Sequence, residues 1–289
     1  MKICSGVKFF DNPTIRLLNS STVVAISGAL RLHVAFLLTG IAMRIPEYIA
    51  FSLIVYATYT LDRTLECKED ALNRGELAGA DKRAGMAGCL AAFLVGTAIL
   101  LHDGIWAAPF FPFIVGYVYT RGIRIGPVHL RFKAGAGVKN AVIGLTWGGT
   151  IALIVGQWCS SPAAVAVIFL FFGLKVFITS CVNDFKDVPG DVAAGIRTLP
   201  ASLGERLTKI ILIAILIGSY CVVVCALLQA LIRDECVLLA FGFLITLVFL
   251  IFYTPAFENS SQLVLRKMRE FVISWETVIG LVLRACVPV

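Results

Sequence analysis

Apolar residues run through this chain in long stretches separated by short polar segments. The stretches lie at about 21–43, 46–62, 85–102, 105–120, 139–158, 162–183, 208–231, 236–254 and 271–287. A helix needs roughly 20 mostly apolar residues to cross a bilayer. The pattern therefore predicts an all-α, polytopic transmembrane helical bundle of about nine spans, read as a single domain over 1–289. Before the first stretch, Val7, Phe9, Phe10, Ile15, Leu17 and Leu18 alternate with Lys2, Lys8 and Arg16. That mixture suits an interfacial segment over residues 1–20, and the segment lacks a small-residue cleavage signature.

Composition strengthens this reading. Of the 289 residues 59% are hydrophobic and 15% charged, with a mean hydropathy of +0.90. A soluble domain averages roughly 45–50% apolar and about 25% charged. The nine cysteines form no CxxC pair and read as small buried hydrophobes. His33, His102 and His129 are too scattered for a metal site.

Charge then orients the spans. The N-terminus and the loops of about 62–84, 121–139, 184–209 and 255–270 hold 20 of the 25 Lys and Arg. The opposite loops carry only Arg44 and Arg233. Positive charge marks the cytoplasmic side, so the N-terminus and these loops are predicted to be cytoplasmic. The net charge of +7 is mostly this signal. No basic helix or aromatic RNA-binding pattern accompanies it, so no nucleic-acid partner is expected.

Two acidic stretches on that side carry the candidate chemistry. Asp62, Glu66 and Asp70 recur at steps of four, as do Asn183, Asp187 and Asp191, with Asp184 beside them. On a helix such positions drift by only about 40° per step and share a face. Pro189 cannot donate to Phe185 and crowds its carbonyl. The helix is thus expected to kink or stop near Val188, leaving Asp191 on a turn or a following short helix. Clustered carboxylates beside apolar segments call for a counter-charge. Facing clusters can hold two or more Mg²⁺ ions, which take one or two carboxylates each and further oxygens from a phosphate. Basic residues beside the acids suit a diphosphate: Arg63, Arg74, Lys133, Lys139 and Arg197.

The run from Asn183 through Asp184, Asp187, Gly190, Asp191, Gly195 and Thr198-Leu199-Pro200 resembles the second motif of the UbiA superfamily of intramembrane prenyltransferases, a DxxxD followed by a GxxTLP-like tail. The first stretch is similar to that family's NDxxDxxxD but departs from it. Asp62 stands where Asn is usual, Arg63 replaces the second acid and Glu66 replaces Asp. The segment from Lys133 to Trp147, with Lys139, Asn140 and Gly144, is also similar to the entry of the family's fifth span. The resemblance implies Mg²⁺-dependent transfer of a prenyl chain from a prenyl diphosphate to a small-molecule acceptor inside the bilayer. It implies ion binding by Asp62, Glu66, Asp70, Asp187 and Asp191, with Asn183 and Asp184 supporting. Arg63, Lys133 and Lys139 would meet the diphosphate, joined by Arg74, Tyr119, Asn140 and Arg197.

Within such a family, an aromatic acceptor on a quinone or related electron-carrier pathway is the first expectation. The alternative is a glycerol-phosphate acceptor in ether-lipid synthesis. Members of that branch resemble INRPxRPIPSG after the first motif, and this chain keeps only Leu72-Asn73-Arg74-Gly75-Glu76-Leu77. Protohaem farnesylation and chlorophyll prenylation find no supporting feature. A cation-coupled transporter would put its acids near the bilayer midplane, whereas these concentrate at span ends. An alcohol phosphotransferase would need an Asp-Gly-x-x-Ala-Arg stretch, which does not occur. Arg31, His33 and Lys175 fall inside spans. Such groups usually face an interior or a polar cavity. Lys175 is read as pairing with a polar group of another span or contacting substrate, and Arg31 with His33 as part of an acceptor pocket or as snorkelling.

Overall fold

The computed structural model describes residues 12–65, 79–121, 123–125, 128–130, 136–193, 197–252 and 275–287. The helices are α1 (Pro13–Ser20), α2 (Thr22–Thr39), α3 (Ile45–Leu65), α4 (Lys82–His102), α5 (Ala107–Arg121), α6 (Val138–Val155), α7 (Pro162–Ala193), α8 (Leu199–Leu228), α9 (Cys236–Phe252) and α10 (Glu276–Cys286). Each predicted apolar stretch coincides with a helix. Five helical segments are long and apolar enough to cross a membrane: Pro13–Thr39, Lys82–His102, Val138–Val155, Pro162–Phe185 and Leu199–Leu228. Ala107–Val118 and Cys236–Phe252 are shorter apolar helices. Many large apolar side chains on these helices remain exposed, among them Leu94, Ile210 and Phe252. Exposed apolar surface on this scale fits a lipid-facing bundle, and the chain is an integral membrane protein.

Two features differ from the expectation. The loop after α5 carries a small antiparallel hairpin, β1 (Ile123–Ile125) with β2 (Val128–Leu130), paired Ile123 to Leu130 and Ile125 to Val128. The larger departure is at Pro189, where α7 runs on to Ala193 without stopping. An internal proline removes one backbone hydrogen bond and strains its turn, at about 3 kcal/mol. The continued helix carries Asp184 and Asp191 on one face, both buried.

The chain forms two compact units, residues 1–29 with 45–133 and residues 30–44 with 134–289. In the first, Asn12 caps α1 by accepting from the Thr14 amide at 2.9 Å, and Pro13 occupies the first turn, where its missing N–H costs nothing. Helices α3 and α4 approach closely through small residues. A Cβ on Gly96 would lie 2.9 Å from the Ala50 carbonyl oxygen, and Cys89 donates to the Ala57 carbonyl at 3.3 Å. Ala57, Leu61, Cys89 and Ala92 form the core there.

In the second unit α6 and α7 pack backbone to backbone. A Cβ on Gly144 would meet the Gly173 oxygen at 2.5 Å, and one on Gly148 the Phe169 oxygen at 2.4 Å. Small residues permit this approach where lipid supplies no hydrophobic drive between helices. Ile178, Cys181, Val182 and Phe185 of α7 pack with Leu212, Leu216, Phe249 and Leu250 of α8 and α9.

Candidate active site at the end of helix α7

Three element ends of the second unit build this site. Gly137 opens α6 in the left-handed region, φ 72°, and a Cβ there would press on Leu199 at 3.0 Å. Thr198 precedes the first turn of α8, in which Pro200 again sits where an N–H is not needed. Thus the Thr-Leu-Pro tail is a helix start, held beside the start of α6. The end of α7 brings Asp184, Asp187 and Asp191 onto one face, within about 60° of each other at 100° per residue.

Asp184 is buried, and each of its oxygens accepts a hydrogen bond. Lys139 donates from Nζ to Oδ1 at 2.6 Å, and Asn140 from Nδ2 to Oδ2 at 2.7 Å. Asn140 also donates to Ser180 Oγ at 3.0 Å. Both partners lie in the first turn of α6, where the helix dipole favours negative charge. Lys139 also feels the charges of Asp191 and Asp187, so it interacts with all three acids. Asp191 is buried and its carboxyl is pushed up to about 6, chiefly by desolvation. The Lys139 charge pulls the other way, while Asp184 and Asp187 add to the rise. Asp191 Oδ2, Asn140 Oδ1 and Thr198 Oγ1 are buried without a hydrogen-bond partner. Asn183 and Asp187 are half-buried, and Arg197 is exposed.

Hard oxygen donors with unclaimed lone pairs suit a small divalent cation. Among the described residues no three His, Cys, Asp or Glu side chains are grouped so as to hold a metal ion by themselves. An Mg²⁺ ion there would complete its shell with waters and substrate phosphate oxygens. The residues present therefore fit the ion the sequence implies.

The other expected residues distribute as follows. Asp62 and Arg63 end α3 in the first unit. Arg63 Nη1 donates to Ser20 Oγ at 2.9 Å and Ser21 Oγ at 2.7 Å, tying α3 to the junction of α1 and α2. Thr60 adds a bond to Ser21 Oγ at 3.0 Å. Tyr119 lies on α5, but its side chain is outside the described residues, as are Glu66, Asp70, Arg74 and Lys133. Lys139 and Asn140, expected on the diphosphate, both hold Asp184 in this structure. Reading the sequence missed Ser180 at this site and named Thr198 only as part of the motif tail. It also missed Glu276, although an acid inside the last apolar stretch was a legible partner for Lys175.

A bundle of apolar helices with an acid-bearing helix end defines a polytopic membrane protein with a cation-ready polar site. The profile of the UbiA prenyltransferase family matches residues 20–262, and the chain belongs to this family. A digeranylgeranylglyceryl phosphate synthase of Methanothrix thermoacetophila is 28% identical over 147 residues, 48% of this chain and 51% of that protein. The bacteriochlorophyll synthase 34 kDa chain of Chloroflexus aurantiacus is 28% identical over 113 residues, 38% of this chain and 35% of that protein. The chain spans about a quarter to a half of the length of the curated relatives it matches. A UbiA homologue from Archaeoglobus fulgidus, solved bound to GPP and Mg²⁺, superposes with a TM-score of 0.60 at 17% identity, covering 95% of this chain and 100% of that one. At that identity the likeness is one of fold.

Proposed function

We propose that this protein transfers a prenyl group from a prenyl diphosphate to a polar acceptor at the membrane, with Mg²⁺ held at the end of α7. The observation that carries this reading is the trio Asp184, Asp187 and Asp191 on one helical face, with Asp184 fixed by Lys139 and Asn140. Locked in place, Asp184 and its two partners hold the floor of the site rigid. Asp187 and Asp191 offer oxygens toward an ion. Bound Mg²⁺ would supply the charge that the departing diphosphate needs. Asp62, Glu66 and Asp70 are proposed as further ligands on the family resemblance alone, and Arg63, Arg74, Tyr119, Lys133 and Arg197 as diphosphate contacts on the same ground. The excess of Lys and Arg in alternate loops supports a cytoplasmic face for these residues.

The relatives favour the glycerol-phosphate alternative over the aromatic acceptor expected first, since the matched archaeal protein is a digeranylgeranylglyceryl phosphate synthase. In that reaction the acceptor hydroxyl oxygen bonds to C1 of the prenyl chain. The bond from C1 to the diphosphate oxygen breaks, diphosphate leaves, and the hydroxyl proton passes to a carboxylate or to water. The proposal is tested with purified protein in vesicles, Mg²⁺ and labelled geranylgeranyl diphosphate. Prenyl-bearing glyceryl phosphate and an aromatic acid are offered in parallel. A labelled ether lipid only in the first reaction supports the reading, and a labelled aromatic product alone reverses the acceptor. Transfer that survives Asp187→Asn with Asp191→Asn would sink the site.

A further inference from the structure

Halfway along α7 the second unit holds another charged cluster. Lys175 donates from Nζ to Glu276 Oε1 of α10, and the two side chains are only 15% and 5% exposed. Tyr220 of α8 brings its buried hydroxyl to the same point, beside Lys175. Gly242 of α9 makes the room. A Cβ there would lie 2.7 Å from Glu276 Oε1 and 3.0 Å from both Lys175 Nζ and the Tyr220 hydroxyl oxygen. Four helices thus meet in one polar knot inside the apolar span. The cavity beside it, walled by Arg31, Phe171 and Phe172, has room for little more than a water molecule. A prenyl chain or a lipid headgroup does not fit.

The placement of Lys175 on α7 explains what the knot can do. It precedes Asp184 by nine residues, which turns it about 180° around the helix and sets it about 13 Å away along the axis. Helix α7 is therefore gripped on opposite faces at two depths. Lys139 of α6 holds it through Asp184, and Glu276 of α10 holds it through Lys175. Helix α10 is itself anchored at its far end, where Arg284 Nη2 donates to Glu235 Oε1 at 2.7 Å. Apolar residues of equal volume would join such helices at least as tightly, so an ion pair is retained for what it specifies, which is register.

We propose that Lys175 and Glu276 are positioning residues, whose ion pair sets the rotation and depth of α7 and so the presentation of Asp187 and Asp191. The Mg²⁺ readouts rest on the ion site proposed at the end of α7, and the activity readout on prenyl transfer as well. The test compares K175M, E276L, the apolar pair K175M/E276L and the swap K175E/E276K in the full chain. Two quantities are measured: the thermal midpoint without Mg²⁺, and the Mg²⁺ concentration that half-saturates both transfer and the Mg²⁺-induced rise in thermal midpoint. The single variants are expected to lose thermal stability and to need about tenfold more Mg²⁺, the usual scale for groups that orient a ligand. The apolar pair regains thermal stability yet keeps the raised Mg²⁺ requirement, and the swap returns both toward wild type. Wild-type Mg²⁺ dependence in the apolar pair would overturn the proposal, because the pair would then only hold helices together. If the single variants do not fold, the two double variants decide, since neither leaves a lone buried charge. Absence of transfer in the wild type would count against the proposed activity, while the Mg²⁺-induced thermal shift still tests the positioning.

Discussion

Helix α7 carries two polar sites of opposite design. At mid-helix, Lys175 and Glu276 neutralise each other, and Gly242 leaves the space they fill. At the helix end, Asp184 is satisfied by Lys139 and Asn140, but Asp191 Oδ2 and Asn140 Oδ1 are buried oxygens with no hydrogen-bond partner. The first arrangement is complete and needs nothing more. The second has acceptors to spare, which costs free energy unless a cation or a donor arrives. One helix thus combines a closed polar lock with an open polar cradle, and the contrast separates residues that hold from residues that receive.

The contrast breaks most sharply if the open site loses its acids. Asp187→Asn with Asp191→Asn is expected to lower transfer by about a thousandfold or more, since each metal-orienting group is commonly worth 10–100-fold. The product assay reads this, and the thermal midpoint without Mg²⁺ should stay near wild type. Lys139→Met comes next. It strands the buried Asp184 carboxylate and should cost about 3 kcal/mol of stability, read by thermal unfolding in detergent. Adding Asp184→Asn should recover most of the loss. Gly242→Ala attacks the closed site instead. Its methyl group would force Lys175, Glu276 and Tyr220 apart, for about 2 kcal/mol of overpacking. A wild-type thermal midpoint in that variant would show that the knot yields without cost.

The smallest effect is in pH. Asp191 titrates near pH 6 in the folded chain, above the ordinary carboxylate value of 3.8. The folded state holds this proton more tightly than the unfolded one. Its contribution to stability is therefore complete below about pH 4 and fades as pH rises through 6. Mg²⁺ must displace the same proton, so the Mg²⁺ requirement should rise by up to tenfold per unit as pH falls below 6. Asp191→Asn should remove that slope from Mg²⁺-induced thermal shifts.

Much of this was legible in the sequence because membrane helices announce themselves by length and hydropathy. All nine apolar stretches overlap helices, whereas Asp191, expected on a turn or a following short helix, stays on α7. Pro189 misled because one missing hydrogen bond does not by itself end a 32-residue helix. The hold of Lys139 and Asn140 on Asp184 depends on how α6 crosses α7. That crossing is set by Gly144, Gly148 and Gly173, and spacing along the chain does not encode it. The Lys175–Glu276 pair spans 101 residues. Lys175 stood out as a charge inside an apolar stretch and Glu276 did not, and packing joins them.

The claim that the end of α7 receives a metal-bound diphosphate is tested most directly by binding of labelled geranylgeranyl diphosphate to the purified protein, with and without Mg²⁺. The account predicts binding that requires Mg²⁺ in the wild type and is lost in D187N/D191N while the fold persists. Binding that is equally strong without Mg²⁺, or is unchanged in that variant, would contradict it.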